Sequence, residues 1–201
     1  MIRENEHMVP RERVKATFAY QKTDRVPINY HSNPGIDARL KAYFGLNQED
    51  NEGLLEVLGV DFRAIGVPYI GPRLHKEILE RNVDPEWGIH TRWIEHGSGG
   101  YWDFCDFPLR DADEDMVKAW SMPTADDYDY SGLDEACKRN EKYALYVGDP
   151  GLGCIMNTAG FFRSMEQMFI DLATDEPAGL LLIDRFLDLH FKRMEHTRKG
   201  G

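Results

Sequence analysis

The chain has 201 residues, of which 42% are hydrophobic and 29% charged, a balance that predicts one soluble globular domain with a sizeable core. Its net charge of -11 argues against nucleic acid as a partner. No apolar run approaches the roughly 20 residues of a membrane-spanning helix, and the polar N-terminus lacks a signal-peptide core, so the sequence also argues against a membrane protein. The three cysteines form no close pairs, which predicts free thiols in a reducing, cytoplasmic setting.

The first third of the chain predicts short strands alternating with helices. Apolar periodicity and turn residues predict helices over residues 10–20, 36–44 and 51–58, and strands over residues 26–30 and 62–67. Residues 31–35 form a loop at the carboxyl end of the first strand. The pattern is typical of a parallel α/β protein.

The middle of the chain has a different character. Residues 91–95 and 101–105 are rich in β-forming side chains, and the glycines at 97–100 join them. This pattern predicts an antiparallel hairpin over residues 89–107, outside the parallel sheet. Residues 108–132 are acidic and interrupted by proline, which predicts a surface connection with one short helix at 113–119.

The C-terminal third contains the clearest βα unit. A helix over residues 133–141 leads to a strand at 143–147, and a glycine-rich corner at 148–154 follows. Helices are predicted over residues 155–172 and 177–194, the second with a broad apolar stripe. With the earlier strands this gives three parallel strands, whereas a (β/α)8 barrel has eight and about 250 residues. The chain is either a small open sheet or the first part of such a barrel, and its ending after a βα unit favours the barrel.

Loops after parallel strands indicate where a site would lie, because the carboxyl ends of such strands meet at one edge. We therefore expect one cleft at that edge. The candidate catalytic residues are Asp149 and His31, and the candidate substrate-binding residues are Tyr30, Asn33, Tyr69, Gly151 and Gly153.

Each candidate also has a structural interpretation. Asp149 could orient a substrate or act as a general base, but it could equally cap the next helix. His31 could be a hydrogen-bonded structural residue. The corner at 148–154 could be a wall of the pocket or only a tight turn, and it lacks the lysine of a phosphate-binding loop. Cys154 has no neighbouring ligand at metal-binding spacing, so the sequence predicts no metal site in this chain.

Seven short segments, taken in order over nearly the whole chain, resemble the uroporphyrinogen decarboxylase superfamily. They are Arg11-Glu12-Arg13-Val14, Asp24-Arg25-Val26-Pro27, Leu58-Gly59-Val60-Asp61, Glu86-Trp87-Gly88, Phe107-Pro108-Leu109, Trp120-Ser121-Met122-Pro123 and Asp175-Glu176-Pro177. The resemblance implies a (β/α)8 TIM-type barrel with its site at the carboxyl ends of the strands. By this resemblance, residues 1–201 form one partial barrel domain, the N-terminal part, with the hairpin and the surface connection inserted.

The resemblance implies one of two chemistries. Uroporphyrinogen decarboxylases of porphyrin biosynthesis remove acetate carboxyls without a cofactor, whereas their cobalamin-dependent relatives are methyltransferases that use zinc and a corrinoid. The hairpin with Trp87-Gly88 before it is similar to the methyltransferase branch. In that branch the zinc ligands belong to later strands, so this chain alone is expected to bind no zinc. A corrinoid protein is an expected partner, and self-association or pairing with a C-terminal half is expected as well.

The decarboxylase pattern is only partly present. Its arginine-rich loop corresponds to residues 30–36, where the arginine positions hold Ser32 and Ile36. Pro68 stands at the position of the catalytic aspartate, and Ala159 stands at the position of a tyrosine. The sequence therefore favours a methyltransferase-like enzyme. A decarboxylase with unusual motifs and a non-catalytic half-barrel remain the alternatives.

Overall fold

The computed structural model describes residues 6–97, 99–148 and 155–200. In chain order the helices are α1 (Pro10–Phe18), α2 (Pro34–Phe44), α3 (Asn51–Leu58), α4 (Glu114–Ala119), α5 (Leu133–Arg139), α6 (Ile155–Arg163), α7 (Met165–Thr174) and α8 (Pro177–Gly200). The strands are β1 (Phe62–Ile65), β2 (Asn82–Val83), β3 (His90–His96), β4 (Gly99–Phe104) and β5 (Ala144–Val147). The protein is therefore of mixed α/β class, as the sequence predicts.

The described residues group into two compact units. The first unit contains residues 6–66 and 133–148, and the second contains the described residues of 67–132 and 155–200. The expectation of one domain over residues 1–201 stays a prediction.

Local signals set the ends of the helices in the first unit. Asn33 caps α2 by accepting a hydrogen bond from the backbone N–H of Ile36 at 3.0 Å, and α2 ends at the left-handed Gly45. Asp50 caps α3 in the same way, and Gly59 ends it with a φ of 71°. Residues 51–58 form a helix with the predicted bounds because both end signals are present in the sequence.

The sheet of the first unit contains one parallel pair. β1 and β5 pair in register from Phe62 opposite Ala144 to Ile65 opposite Val147. The strand predicted over residues 26–30 is wrong. Pro27 has no N–H, and the N–H of Ile28 donates to the side chain of Asp61 at 2.7 Å rather than to a neighbouring strand. Among the described residues there are thus two parallel strands rather than three, and no sheet closes into a barrel.

The sheet of the second unit confirms the predicted hairpin. β3 and β4 pair antiparallel from Thr91 opposite Phe104 to His96 opposite Gly99. The short β2 adds a third strand on the other side of β3, so the sheet order is β2-β3-β4. The sequence does not predict β2 because it is only two residues long.

The helical core of the second unit lies between α6, α7 and α8. Its fully buried side chains include Phe162, Met168, Leu182 and Phe186. The single helix predicted over residues 155–172 is wrong, because the chain breaks at Ser164, whose φ is 66°. Ser164 then caps α7 by accepting from the N–H of Gln167 at 3.2 Å. Within the described residues, no helix is long and apolar enough to cross a membrane.

Candidate functional site

Tyr30 belongs to a polar cluster in the first unit. Its hydroxyl donates a hydrogen bond to the hydroxyl oxygen of Ser32 at 2.8 Å and lies 3.2 Å from a carboxylate oxygen of Asp37. The ammonium group of Lys41 contacts the other oxygen of Asp37 at 2.8 Å. The hydrogen bond from Lys41 is the main reason that the pKa of Asp37 lies below its usual range. Asp37 is therefore a hydrogen-bond acceptor here rather than a proton donor.

The candidate residues His31 and Asn33 are next to Ser32 in the chain and differ in what their side chains do. Asn33 uses its side chain to cap α2, which accounts for this residue without a ligand. The side chain of His31, which lies between Tyr30 and Ser32 in the chain, is exposed. Their site roles stay predictions.

The cleft that the sequence predicts is not assembled from described residues. Asp149, Gly151 and Gly153 lie outside them. Tyr30 belongs to the first unit and Tyr69 to the second. The convergence of these residues on one cleft therefore stays a prediction.

A buried charge network in the first unit was not predicted. The guanidinium group of Arg13 contacts Asp24, with an Nε–Oδ1 distance of 2.6 Å, and also contacts Asp61. Arg25 reaches the second oxygen of Asp61 at 2.5 Å. The side chains of both aspartates are 0% exposed and that of Arg13 is 2% exposed. We call these four residues the Asp61 network.

The Asp61 network is fully paired. It contains two guanidinium groups and two carboxylates, and the backbone N–H groups of His7 and Met8 complete the acceptors of Asp24. The hydrogen bond from Arg13 is the largest cause that holds the pKa of Asp24 far below its usual range. Asp24 therefore stays ionised near neutral pH, and the buried, hydrogen-bonded network holds this part of the chain together.

A cavity adjoins this network. It has a volume of about 580 Å³, and its lining includes Arg13, Arg25, Val60, Lys142 and Tyr143. Val60 lies just before β1 and Tyr143 directly precedes β5, so the cavity lies at the amino ends of the parallel strands. Sites of parallel α/β folds lie at the opposite ends. The position of the cavity therefore argues against a substrate site there.

A second cluster of ionisable groups lies in the second unit. The hydroxyl of Tyr128 donates a hydrogen bond to the carboxylate of Glu86. The ring of Tyr69 meets the ring of Tyr128 edge-on, with 5.4 Å between centroids. The guanidinium carbon of Arg193 lies 3.9 Å from the centroid of Tyr128, a cation–π contact. We call these four residues the Glu86 cluster.

Protonation in the Glu86 cluster is shifted by burial. Desolvation raises the pKa of Glu86, and the nearby carboxylate of Asp84 adds to the shift. Burial also raises the pKa values of Tyr128 and Tyr69, so both phenols stay neutral. A half-buried carboxyl with a raised pKa beside neutral phenols can donate as well as accept hydrogen bonds. This is the arrangement among the described residues best suited to acid–base chemistry.

Sequence reasoning identified one residue of this cluster, Tyr69. The Glu86–Tyr128 hydrogen bond joins positions 42 residues apart, a separation that propensity and periodicity do not address. The sequence signal that could have identified the cluster is the segment Glu86-Trp87-Gly88. It is one of the seven segments of the family resemblance, and it contains the carboxyl group of Glu86.

The described residues do not fit a zinc site. Among them, no group of three or more histidine, cysteine, aspartate or glutamate side chains is placed to hold a metal ion, and a protein zinc site needs three or four such ligands. We therefore assign no step to zinc in this chain.

Comparison of the chain with family models, with curated proteins and with solved structures finds no match.

Proposed function

We propose that this chain is the N-terminal part of a uroporphyrinogen-decarboxylase-type barrel protein, and that the complete protein is a cobalamin-dependent methyltransferase-like enzyme. It would move a methyl group between a small substrate or thiol and a corrinoid. The observation that supports the proposal most is the Asp61 network, because three of the segments that carry the resemblance meet there.

The network gives those three segments a shared physical role. Arg13 comes from the first segment, Arg25 from the second and Asp61 from the third, and Arg13 and Asp61 are 48 residues apart. With Asp24, also from the second segment, they form a group of two cations and two carboxylates. Short motifs on exposed loops often match motifs of unrelated families by chance. Charges that must balance in a buried site are far more constrained, since an unpaired buried charge costs about 3–5 kcal/mol by mutational estimates. The constraint explains why such residues would be kept together in one family.

The parallel pair β1–β5 supports the barrel part of the proposal. A two-stranded sheet is marginal by itself in water, and unpaired strand edges favour pairing with further strands. We therefore propose that the remaining strands of the barrel pair with this sheet. They would come from a C-terminal part of the protein or from a second copy of the chain.

The substrate loop favours methyl transfer over decarboxylation. A porphyrinogen with several carboxylates calls for bidentate guanidinium contacts. The loop at residues 30–36 carries Ser32 and Ile36 where the decarboxylases carry arginine, and Tyr30 and Ser32 instead form a hydroxyl cluster with Asp37. Hydroxyl groups suit a small polar or neutral substrate.

The corrinoid supplies the methyl group or receives it when bound, and the chain supplies orientation. In this proposal, and within the first unit taken by itself, Tyr30 and Ser32 bind polar groups. Within the second unit taken by itself, Glu86, with Tyr128 against it, holds or releases a proton at its carboxyl group. Both assignments follow from the hydrogen-bonding capacity of the side chains.

The test uses the protein made from the full open reading frame that contains this chain. It is incubated with methylcobalamin and a set of thiols, and the methyl thioether product is measured by mass spectrometry. The proposal predicts catalytic product formation that falls at least about tenfold in a Glu86→Gln variant, the loss typical of a proton-transfer group. The matched control Asp134→Asn removes an exposed carboxylate and should leave the rate unchanged.

A parallel arm supplies uroporphyrinogen. Decarboxylation of uroporphyrinogen without methyl transfer would replace the proposal with the decarboxylase alternative. Activity in neither arm would favour a non-catalytic half-barrel.

A further inference from the structure

Arg185 on α8 is a half-buried cation that lacks a carboxylate partner among the described residues. Its guanidinium group donates to the backbone carbonyl oxygens of Val117 and Trp120, the latter at 2.8 Å. These carbonyls belong to the end of α4, where cations are favourable. Two of the five N–H groups of a guanidinium are used in this way, and three remain without an acceptor in the described part of the chain.

A cavity of about 210 Å³ lies beside Arg185. One side is formed by α8, which contributes Arg185, Asp188, Leu189 and Lys192, positions that share one helix face. The other side is formed by Met122, Pro123, Thr124 and Ala125. The lining contains two cations, Arg185 and Lys192, and one carboxylate, Asp188, so its formal charge is +1. Met122, Pro123, Ala125 and Leu189 give the cavity an apolar wall.

The chemistry of the lining selects a class of ligand. Burial lowers the pKa of Arg185, and no carboxylate contributes to that shift, so an anion placed here would relieve an uncompensated charge. Lys192 lies 2.7 Å from Asp188, and both are exposed, so Lys192 can turn toward a second anionic partner. At about 30 Å³ for each water molecule, the cavity has room for roughly seven waters. A short-chain carboxylate has a similar number of non-hydrogen atoms.

We propose that this cavity is a binding site for a small organic carboxylate. The carboxylate group would bind Arg185 and Lys192, and its short apolar body would lie against Leu189 and the wall at residues 122–125. The site is independent of the proposed methyl transfer, since it shares no residue with the Asp61 network or the Glu86 cluster.

The experiment follows the side-chain Nε–H resonance of Arg185 by NMR while sodium butyrate is added at constant ionic strength. The proposal predicts a saturable shift. Lys192→Met should weaken binding about two- to fivefold, the contribution of one exposed ionic contact. Asp188→Asn should strengthen binding by a similar factor, because it removes the carboxylate that competes for Lys192. Both positions are exposed, so neither substitution should disturb the fold.

A matched control uses the exposed pair Asp134–Lys138, which has the same spacing on α5. Asp134→Asn should leave butyrate binding unchanged. Absence of a saturable shift would overturn the proposal, as would Lys192 and Asp188 variants that shift the affinity in the same direction or not at all. Tighter binding of inorganic phosphate than of butyrate would overturn the assignment to an organic carboxylate, because phosphate makes no use of the apolar wall.

Discussion

The hydroxyl of Tyr128 donates a hydrogen bond to the carboxylate of Glu86 across 42 residues of sequence. The bond joins the turn between β2 and β3 to the segment that precedes α5. Tyr128 is 5% exposed, so this contact is shielded from water on the phenol side. The protonation state of Glu86 is therefore linked to the packing of the second unit.

We expect the stability of the protein to depend on the ionisation of Glu86. Its pKa in the folded chain is raised above the ordinary value of 4.5, so the folded chain binds this proton more tightly than the unfolded chain. The contribution of Glu86 to the free energy of unfolding is then fully present below pH 4.5 and is lost as pH rises through the raised pKa. Because Glu86 is only half-buried, the loss should be about 1 kcal/mol or less.

Urea unfolding of the wild type and of Glu86→Gln between pH 4 and 8 measures this contribution. Glutamine cannot ionise, so the wild type should become less stable relative to Glu86→Gln as pH rises. Aspartates with lowered pKa values are common to both proteins and cancel in the difference. A difference that does not change with pH, or that grows in favour of the wild type, would show that the pKa of Glu86 is not raised.

Close packing of α7 on α8 predicts that Gly179→Ala destabilises the protein. An added Cβ at Gly179 would lie 2.3 Å from an oxygen of Asp171. Asp171 is fully buried and held by Arg163 at 2.6 Å, so it cannot move aside. We expect a loss of about 1–3 kcal/mol from overpacking, despite the better helix propensity of alanine.

The control for this substitution is Gly35→Ala in α2, where the nearest atom to an added Cβ is an exposed side-chain oxygen of Asn33 at 3.3 Å. Its free energy of unfolding should stay within about 0.5 kcal/mol of the wild type. If Gly179→Ala unfolds at the same urea concentration as Gly35→Ala, the α7–α8 contact is looser than described.

The break between α6 and α7 gives a prediction about Ser164. Its φ of 66° and ψ of 152° lie in a region that favours glycine and costs other residues about 1–3 kcal/mol. Ser164→Gly should relieve this strain and lose only a few tenths of a kcal/mol of capping, so we expect it to be stabilising by about 1 kcal/mol. Ser164→Ala keeps the strain and loses the cap, at a cost of about 1 kcal/mol. Urea unfolding of the two variants in the opposite order would contradict the described break.

Sequence patterns predicted the elements whose signals are local. The helix at 51–58 is bounded by an aspartate cap and a glycine, and the hairpin pairs as far as His96 opposite Gly99, within the glycine-rich segment that predicts its turn. The end predicted for the last helix, Met194, is wrong, because the helix continues to Gly200 with no proline or capping signal before it. The bounds that are confirmed depend on interactions between residues a few positions apart.

The errors and omissions concern interactions between distant residues. The break at Ser164 has no glycine or proline to announce it, and the residue before it, Arg163, makes a buried contact with Asp171 eight positions away. Residues 26–30 have strand-forming side chains, yet the backbone N–H of Ile28 donates its hydrogen bond to the carboxylate of Asp61 and not to a neighbouring strand. Apart from Tyr69, the Glu86 cluster was missed for the same reason, since its members come from four separate segments.

Arg13 and Asp61 connect two of the segments that resemble the uroporphyrinogen decarboxylase superfamily. A double-mutant cycle on these two residues tests most directly whether the segments are energetically coupled. The free energy of unfolding is measured for the wild type, Arg13→Met, Asp61→Asn and the double variant. Each single substitution should cost about 3–5 kcal/mol, because it leaves one charge of the buried network uncompensated. The double variant should cost less than the sum, with a coupling energy of about 2 kcal/mol. The exposed pair Asp134–Lys138 should couple by less than about 0.5 kcal/mol. Additive effects of Arg13→Met and Asp61→Asn, within about 0.3 kcal/mol, would contradict the coupling and remove the observation that supports the proposed family.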